Sequence, residues 1–466
     1  MALGKRKPAQ QPLFVATADL PAATAHPYYD SVNKVLSAHH FDTTVEHLCA
    51  SFYKGNVGRP GLPPGVYFRC LMIGYLEGID SERGIAWRVA DSLSLKLFLG
   101  YAIDQSTPDH STLSRTRRLI SLEAHGQVFK LILMVLVNHS LLSGATVGVD
   151  STPLEANAAM KSLVRRDTGE GYREFLTRLA KESGIETPTL EDLIKIDKHR
   201  KNKGSNEDWH NPHDPDAKIT KMKDGSTHLA HKAEHAVDLG EGAHGAILAV
   251  NICDASVGDT NTVVDTIVAA TENLRAVSDE PQVADKLEDG WVSEIVTDKG
   301  YHSNQVLKDC SEMNVRTYAS EPDRGKRTWA GDVEARDAVY ANRRRIKGER
   351  GKRLLRKRGE LLERSFAHCY ETGAMRRLYL KGKDNIAKRV LIHAAGFNLG
   401  LLMRVGYGLR KPRSLAGAAS AVFALIWSLW TWLRSLGALR NRSRRSSIAS
   451  IADSLRFQSL GMLQAA

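Results

Sequence analysis

Cysteine is scarce: five residues in 466, at positions 49, 70, 253, 310 and 369, an odd number with no Cys-x-x-Cys pair. That spacing excludes a disulfide framework and a zinc ribbon, and it favours a reducing interior. The N-terminal Met1-Ala2-Leu3-Gly4-Lys5-Arg6-Lys7-Pro8 has no apolar stretch after its charges, so a secretory signal is not expected. Internal repeats are absent. Acids are in deficit, 53 against 65 Lys and Arg, which leaves a net charge of +12. Such a surplus favours a polyanionic partner or an acidic membrane surface.

What is present is a chain too long for one simple domain. Residues 1–40 read as a disordered or extended tail, with 1–27 rich in Ala, Pro and Gln. Residues 41–140 carry helical patterning. An apolar run, Val66 to Leu76, follows a Pro63-Pro64 breaker, and Ile85, Val89, Leu93 and Leu97 recur as one helical stripe. Asp109 reads as the cap of a helix 110–118, and Val128 to Val137 as a buried helix. From 141 to 405 strand and helix patterns alternate. A charged insertion at about 155–225 reads as mostly helical. Thr227–Leu239 and Ala246–Ile252 read as strands of a hairpin turning through Gly240–Gly245. Asp259 or Thr260 opens a helix through Val263 and Ile267. A basic segment spans 321–358. The pattern calls for an α/β fold, a mixed sheet covered by helices, behind an all-helical N-terminal domain. Residues 406–466 hold a charge-free run, Leu415 to Leu433, about one bilayer long, and a basic tail. We read that run as a self-association face. A membrane is not an expected partner.

Three carboxylates carry the chemistry. Asp150 closes the apolar run 145–149, and Asp298 closes Ile295-Val296-Thr297 in the same way. Each reads as an acid at the tip of a buried strand, where the backbone is rigid and the side chain can leave the core. Glu363 lies on a later helix. Rigid carboxylates in a basic chain suit a pair of divalent cations about 4 Å apart, which activate a water or hydroxyl and stabilise charge on phosphorus. Each acid also has a plainer reading. A strand-end Asp often caps the next helix, and Glu360 and Glu371 lie close to Glu363. Asp254 and Asp259 read chiefly as caps, with a place near the metals as the alternative.

The densest charge block is 343–358, with ten Lys or Arg against Glu349 alone. It reads as a phosphate-binding surface, since so many like charges repel without a counter-charge. Arg343, Arg344, Arg345, Arg353, Arg356 and Arg358 are its candidate DNA contacts. Further candidates are Arg115, Arg117 and Arg118 on the helix after Asp109, Lys232 and His235 on the strand beside Asp150, Lys299 and His302 after Asp298, and Arg376 and Arg377. Helix 109–118 reads equally as a recognition helix or as a packed helix with a basic outer face. His228, His231 and His235 suggest zinc by spacing, but on a strand the first two point to opposite faces.

The stretches GVDSTPLEANAAMKSLVRRD, DPDAKITKMKDGSTHLAHKAEHAVDL, VTDKGYHS and ERSFAHCYETGAMRR resemble DDE transposases of bacterial insertion sequences. FDTTVEHLCASFY and DHSTLSRTRR are similar to the helical region that precedes the catalytic domain in those enzymes. The resemblance covers about residues 40–405. It implies an RNase H-like domain with an Asp-Asp-Glu triad, carried over onto Asp150, Asp298 and Glu363, and two Mg²⁺ ions for which Mn²⁺ can substitute. It also implies transposon terminal inverted repeats and target DNA as partners, a homodimer or larger synaptic complex, and a cytoplasmic, nucleoid-associated location. Many relatives carry Tyr and Arg seven and four residues before the last acid and Lys seven after it. Here those positions are Arg356, Gly359 and Tyr370, so that signature is broken. The expected activity is cleavage at transposon ends followed by transfer of the 3′-hydroxyl into target DNA. A nuclease without strand transfer and a decayed DNA-binding protein are the alternatives.

Overall fold

Pro63 and Pro64 stop the preceding chain and start a helix, because proline cannot continue a ladder yet suits a first helical turn. The computed structural model places that helix, α3, at Pro64–Glu77, ending on Gly78 at φ 66°. It describes residues 25–412, apart from 55–59, 201–203, 223, 282, 284–285, 288–290, 324, 326 and 330. The hydrophobic run 415–433 therefore lies outside the described residues, as does the tail 1–24. Residues expected in an extended tail to position 40 are instead helical from Pro27. Tyr28, Tyr29, Val32, Val35 and Leu36 bury one face of α1 (Pro27–Ala38).

Helices α2 (Phe41–Cys49), α4 (Glu82–Ala90), α5 (Leu93–Phe98), α6 (His110–Leu119) and α7 (Leu122–Asn138) complete the N-terminal region with α1 and α3. The expected single stripe through Ile85, Val89, Leu93 and Leu97 is two helices. Ser92 accepts a hydrogen bond from Leu95 N and starts a new helix, turning Leu95 and Phe98 inward and leaving Leu93 and Leu97 partly in solvent. Asp109 caps α6 as expected, accepting from Ser111 N.

The sheet begins with β1 (Thr146–Glu155). An insertion follows, holding β2 (Val164–Arg165), α8 (Tyr172–Glu182), α9 (Leu190–His199) and β3 (Trp209–His210). It is less helical than expected. A two-stranded ribbon closes it, and its own small core gathers Phe175, Leu176, Leu193 and Trp209. Then come β4 (Lys218–Lys221), β5 (Thr227–Asp238), β6 (Ile247–Asp254), α10 (Val263–Ser278), β7 (Glu294–Thr297), α11 (Asn304–Glu312), β8 (Arg316–Ala319), α12 (Val333–Lys347), α13 (Glu349–Phe366) and α14 (Lys383–Gly406).

The main sheet runs β6-β5-β1-β7-β8, with β4 paired to the start of β5. The hairpin β5–β6 and the pair β1–β5 are antiparallel, while β1–β7 and β7–β8 are parallel. This is the mixed, helix-covered RNase H-like arrangement. Successive residues of a strand face opposite ways. Glu234 of β5 accordingly meets Thr266 of α10, and the next residue, His235, meets Ser365 of α13. The two helices thus cover opposite faces.

Gly148 is the contact that seats α13. A Cβ there would lie 2.6 Å from Leu362 Cδ1 and 2.7 Å from Leu239 Cδ1. Gly148→Ala is expected to cost about 1–3 kcal/mol by overpacking, read as a lower urea midpoint. A variant as stable as the parent would show that α13 does not rest on β1.

Helix α14 is apolar and long enough to cross a bilayer by composition, but it is enclosed by protein over most of its length. It packs on α3, α7 and β6. The N-terminal helices and the sheet share one apolar core, and the chain through Leu409 is one compact unit.

Candidate active site

The parallel pairing of β1 and β7 aligns Thr146 with Glu294, Val147 with Ile295 and Gly148 with Val296. Carried two residues further, that register sets Asp150 level with Asp298. Asp298 follows the last residue of β7, as expected of a strand tip, whereas Asp150 lies mid-strand, because β1 runs on to Glu155 paired with β5. The strands beneath are fixed by Val147, Val149, Ile295 and Val296, all buried. The two acids are engaged differently. Asp150 Oδ1 accepts from Ser151 N at 2.8 Å, and its Oδ2 lies 2.7 Å from Nη2 of Arg358, which reaches over from α13. Asp298 caps the turn Lys299–Tyr301 by accepting from Gly300 N at 2.8 Å.

A third carboxylate faces the same turn. A Cβ on Gly300 would lie 3.1 Å from Asp298 Oδ1 and 3.3 Å from Asp259 Oδ2. Asp259 opens the turn Asp259–Asn261, and no hydrogen bond from its side chain to that turn's backbone is seen. Its Oδ1 accepts from Ser151 Oγ at 2.8 Å and from Lys232 Nζ at 3.1 Å. Lys232 also donates to Val257 O and to Thr262 Oγ1. Thr262, Thr266 and Tyr301 all donate to the buried Glu234, whose carboxyl is pushed up by burial against the opposing pull of those donors. The β1 segment after Asp150 and the turn after Asp298 are thus stitched together on the α10 side.

Glu363 is elsewhere. The inward face of α13 is Leu354, Leu361, Leu362, Ser365 and Phe366. A helix turns about 100° per residue, so the residue after Leu362 faces outward, and Glu363 is exposed. Glu360 is also outward and pairs with Arg364. The structure brings Asp150 and Asp298 together and does not bring Glu363 to them. Carboxylate oxygens gathered in this way fit hard divalent cations. The described set is nevertheless incomplete, since among the described residues no group of three His, Cys, Asp or Glu could hold a metal, and Arg358 already compensates Asp150.

Several expected DNA contacts are interior. Arg117 is buried against Glu82 at 2.7 Å, because its side of α6 faces α4. Lys232 and His235 lie on a central strand covered on both faces, so neither reaches the surface. His235 bridges Ser365 Oγ at 3.1 Å and the Tyr370 hydroxyl at 2.6 Å, and burial pushes its pKa down to about 3. His302 is fully buried. Arg343 is paired to Glu321, Arg345 donates to Thr317 O, Arg358 holds Asp150, and Arg376 spans Glu371, Thr152 and Pro153. The exposed candidates are Arg115, Arg118, Lys299, Arg344, Arg353, Arg356 and Arg377. In the insertion, Arg165, Arg178 and Arg200 stack around Phe175, and each pairs with an acid. The histidines proposed for zinc are separate: His228 lies 3.8 Å from Glu155, and His231 bonds Asp214 at 3.1 Å.

Sequence reasoning left Glu234 and Tyr301 without a part in the site, and gave Asp259 one only as the alternative to capping. A polar residue in the middle of a central strand was the available signal, since such a position must be satisfied internally.

Residues 25–119 match the model of a transposase domain (DUF772), and residues 289–403 match the model of a transposase DDE domain. The second match contains Asp298 and Glu363; Asp150 lies between the two. No curated protein matches the chain. With one transposase model over the N-terminal helices and a DDE model over β7, β8 and the closing helices, the chain carries the domains of a DDE transposase of insertion-sequence type.

Proposed function

We propose that this protein cleaves DNA at transposon ends and transfers the freed 3′-hydroxyl into target DNA at one site. The observation that carries the proposal is the shared register of Asp150 and Asp298 on adjacent parallel strands. Bound divalent cations, two Mg²⁺ or Mn²⁺ in their place, would supply activation of water and stabilisation of charge at phosphorus. Asp150 and Asp298 would hold them, with Glu363 as the third acid. On this reading α13 releases Asp150 from Arg358 as Glu363 approaches. The helix is bounded by Gly348 at its start and by the π-turn Ala367–Glu371 at its end. Both are places where it can be re-aimed.

The exposed Arg344, Arg353 and Arg356 on α12 and α13, with Arg115 and Arg118 on α6, offer phosphate contacts. Two ends must meet, so a homodimer or larger synaptic assembly follows, acting at the nucleoid in the cytoplasm.

The test is the product. Purified protein, Mg²⁺, a DNA carrying the element's flanking inverted repeats and a supercoiled target should give joined target molecules. Nicked ends without joining would indicate a nuclease. Binding without cleavage would support the decayed reading, which the outward Glu363 favours.

A further inference from the structure

On the α10 face of the sheet, opposite α13, a chain of polar groups, buried except at Ser151 and Asp259, runs from β1 to the turn after β7. It begins at Ser151, the residue after Asp150, which donates to Asp259 Oδ1 at 2.8 Å. Lys232 Nζ joins that same oxygen to Thr262 Oγ1, at 3.1 Å to each. Thr262 donates to Glu234 Oε1 at 3.0 Å. The Tyr301 hydroxyl donates to that Glu234 oxygen at 2.8 Å, and it also interacts with Ser151. Tyr301 is three residues after Asp298 and closes the turn that Asp298 caps. Thr266 of α10 takes the other Glu234 oxygen.

We propose that Tyr301 and Glu234 are positioning residues that fix the spacing of Asp150 and Asp298 from behind. This rests on the reading of those aspartates as the acid pair. The geometry supports it in three ways. First, Glu234 pairs directly with Ser151 across β5 and β1, so a carboxylate stands beside the residue next to Asp150. Second, Glu234, Thr266 and Tyr301 are fully buried. Moving Tyr301 would therefore leave a desolvated carboxylate short of a donor, which is costly. Third, the network engages Ser151, the residue after Asp150, and Tyr301, which closes the turn that Asp298 caps. It holds the backbone that carries the two aspartates, as outer groups orient the ligands of a metal site.

The test is a titration of the full chain with Mn²⁺, following free Mn²⁺ by electron paramagnetic resonance, with no DNA and no activity readout. Tyr301→Phe keeps the ring and removes the donor. It is expected to weaken Mn²⁺ binding about tenfold, the scale at which outer-shell partners act. Ser151→Ala removes the other anchor at a half-buried position that tolerates truncation, and is expected to weaken binding several-fold with unchanged melting. Glu234→Gln keeps the volume but replaces one acceptor oxygen by a donor, so Mn²⁺ binding between that of the parent and of Glu234→Ala is expected, whereas a purely packing role would leave Glu234→Gln at the parent's affinity.

Asp150→Asn and Asp298→Asn are the benchmarks. If they abolish binding while Tyr301→Phe and Ser151→Ala titrate within twofold of the parent, the positioning proposal falls and the acid pair stands. If the parent binds no Mn²⁺, or the two Asn variants titrate like the parent, the acid pair falls and this proposal with it.

Discussion

Asp150→Ala and Asp298→Ala are each expected to lower metal-dependent DNA cleavage by roughly 10³-fold or more, and the double variant to lose little beyond either single one. Residues acting as a unit are strongly non-additive, because the first removal already disables the site. The shared level of the two aspartates is the reason to expect a unit. The two variants should differ in stability. Asp298→Ala removes the side-chain acceptor for Gly300 N, worth about 1 kcal/mol as a cap. Asp150→Ala strips the counter-charge from Arg358, whose side chain is only 14% exposed, and a cost of about 1–3 kcal/mol follows for a largely desolvated group left unpaired. Gel quantification of cleaved ends, with urea denaturation of the same preparations, gives both readings. Undiminished cleavage in either variant would remove that aspartate from the chemistry.

The second large effect separates three arginines of one helix. Glu82→Ala is expected to destabilise the fold by about 3–5 kcal/mol, since it leaves the Arg117 guanidinium as an uncompensated buried charge. The side chains of Arg117 and Glu82 are 7% and 13% exposed, and Arg117 also bonds Ser114 and Asn385. Arg115→Ala and Arg118→Ala, on the exposed side of α6, should stay within about 0.5 kcal/mol of the parent. If α6 meets DNA, each of these should flatten the salt dependence of binding by about one unit of slope. Chemical denaturation and binding isotherms at several salt concentrations decide the matter. A stable Glu82→Ala variant would refute the structural part assigned to Arg117.

The tip of β7 at Asp298 was legible because a buried strand announces itself as an apolar run, and an acid closing that run has few places to go. The hairpin β5–β6 was legible for the same reason, with Gly240, Gly242 and Gly245 marking its turn. Asp150 closes its apolar run in the same way, yet β1 continues through polar residues to Glu155 because β5 pairs with them. The level of Asp150 with Asp298 was not legible, because register between strands so far apart depends on the packing of everything between them. The orientation of α13 was partly readable. Leu354, Leu361, Leu362 and Phe366 define its apolar stripe, and Glu363 falls outside it; the family motif pointed the other way. Arg117 was misassigned because Arg115 and Arg118 flank it in sequence, while helical periodicity puts it with Leu113 and Thr116 on the buried side. Lys232 and His235 were misassigned because a strand next to the acid pair was taken to be open, whereas α10 and α13 close both of its faces.

The placement of α14 bears on how such a protein can diversify. Its buried Lys388 donates to Arg117 O near the end of α6, and its buried Arg389 donates to Leu71 O within α3 and to Ile79 O just beyond it. At the far end Asn398 exchanges two hydrogen bonds with the backbone of Ile247 in β6. One late segment therefore holds both the N-terminal helices and a strand in the middle of the chain. Recombination between relatives that exchanged those helices alone would set foreign carbonyls against Lys388 and Arg389, so the two segments are expected to vary together.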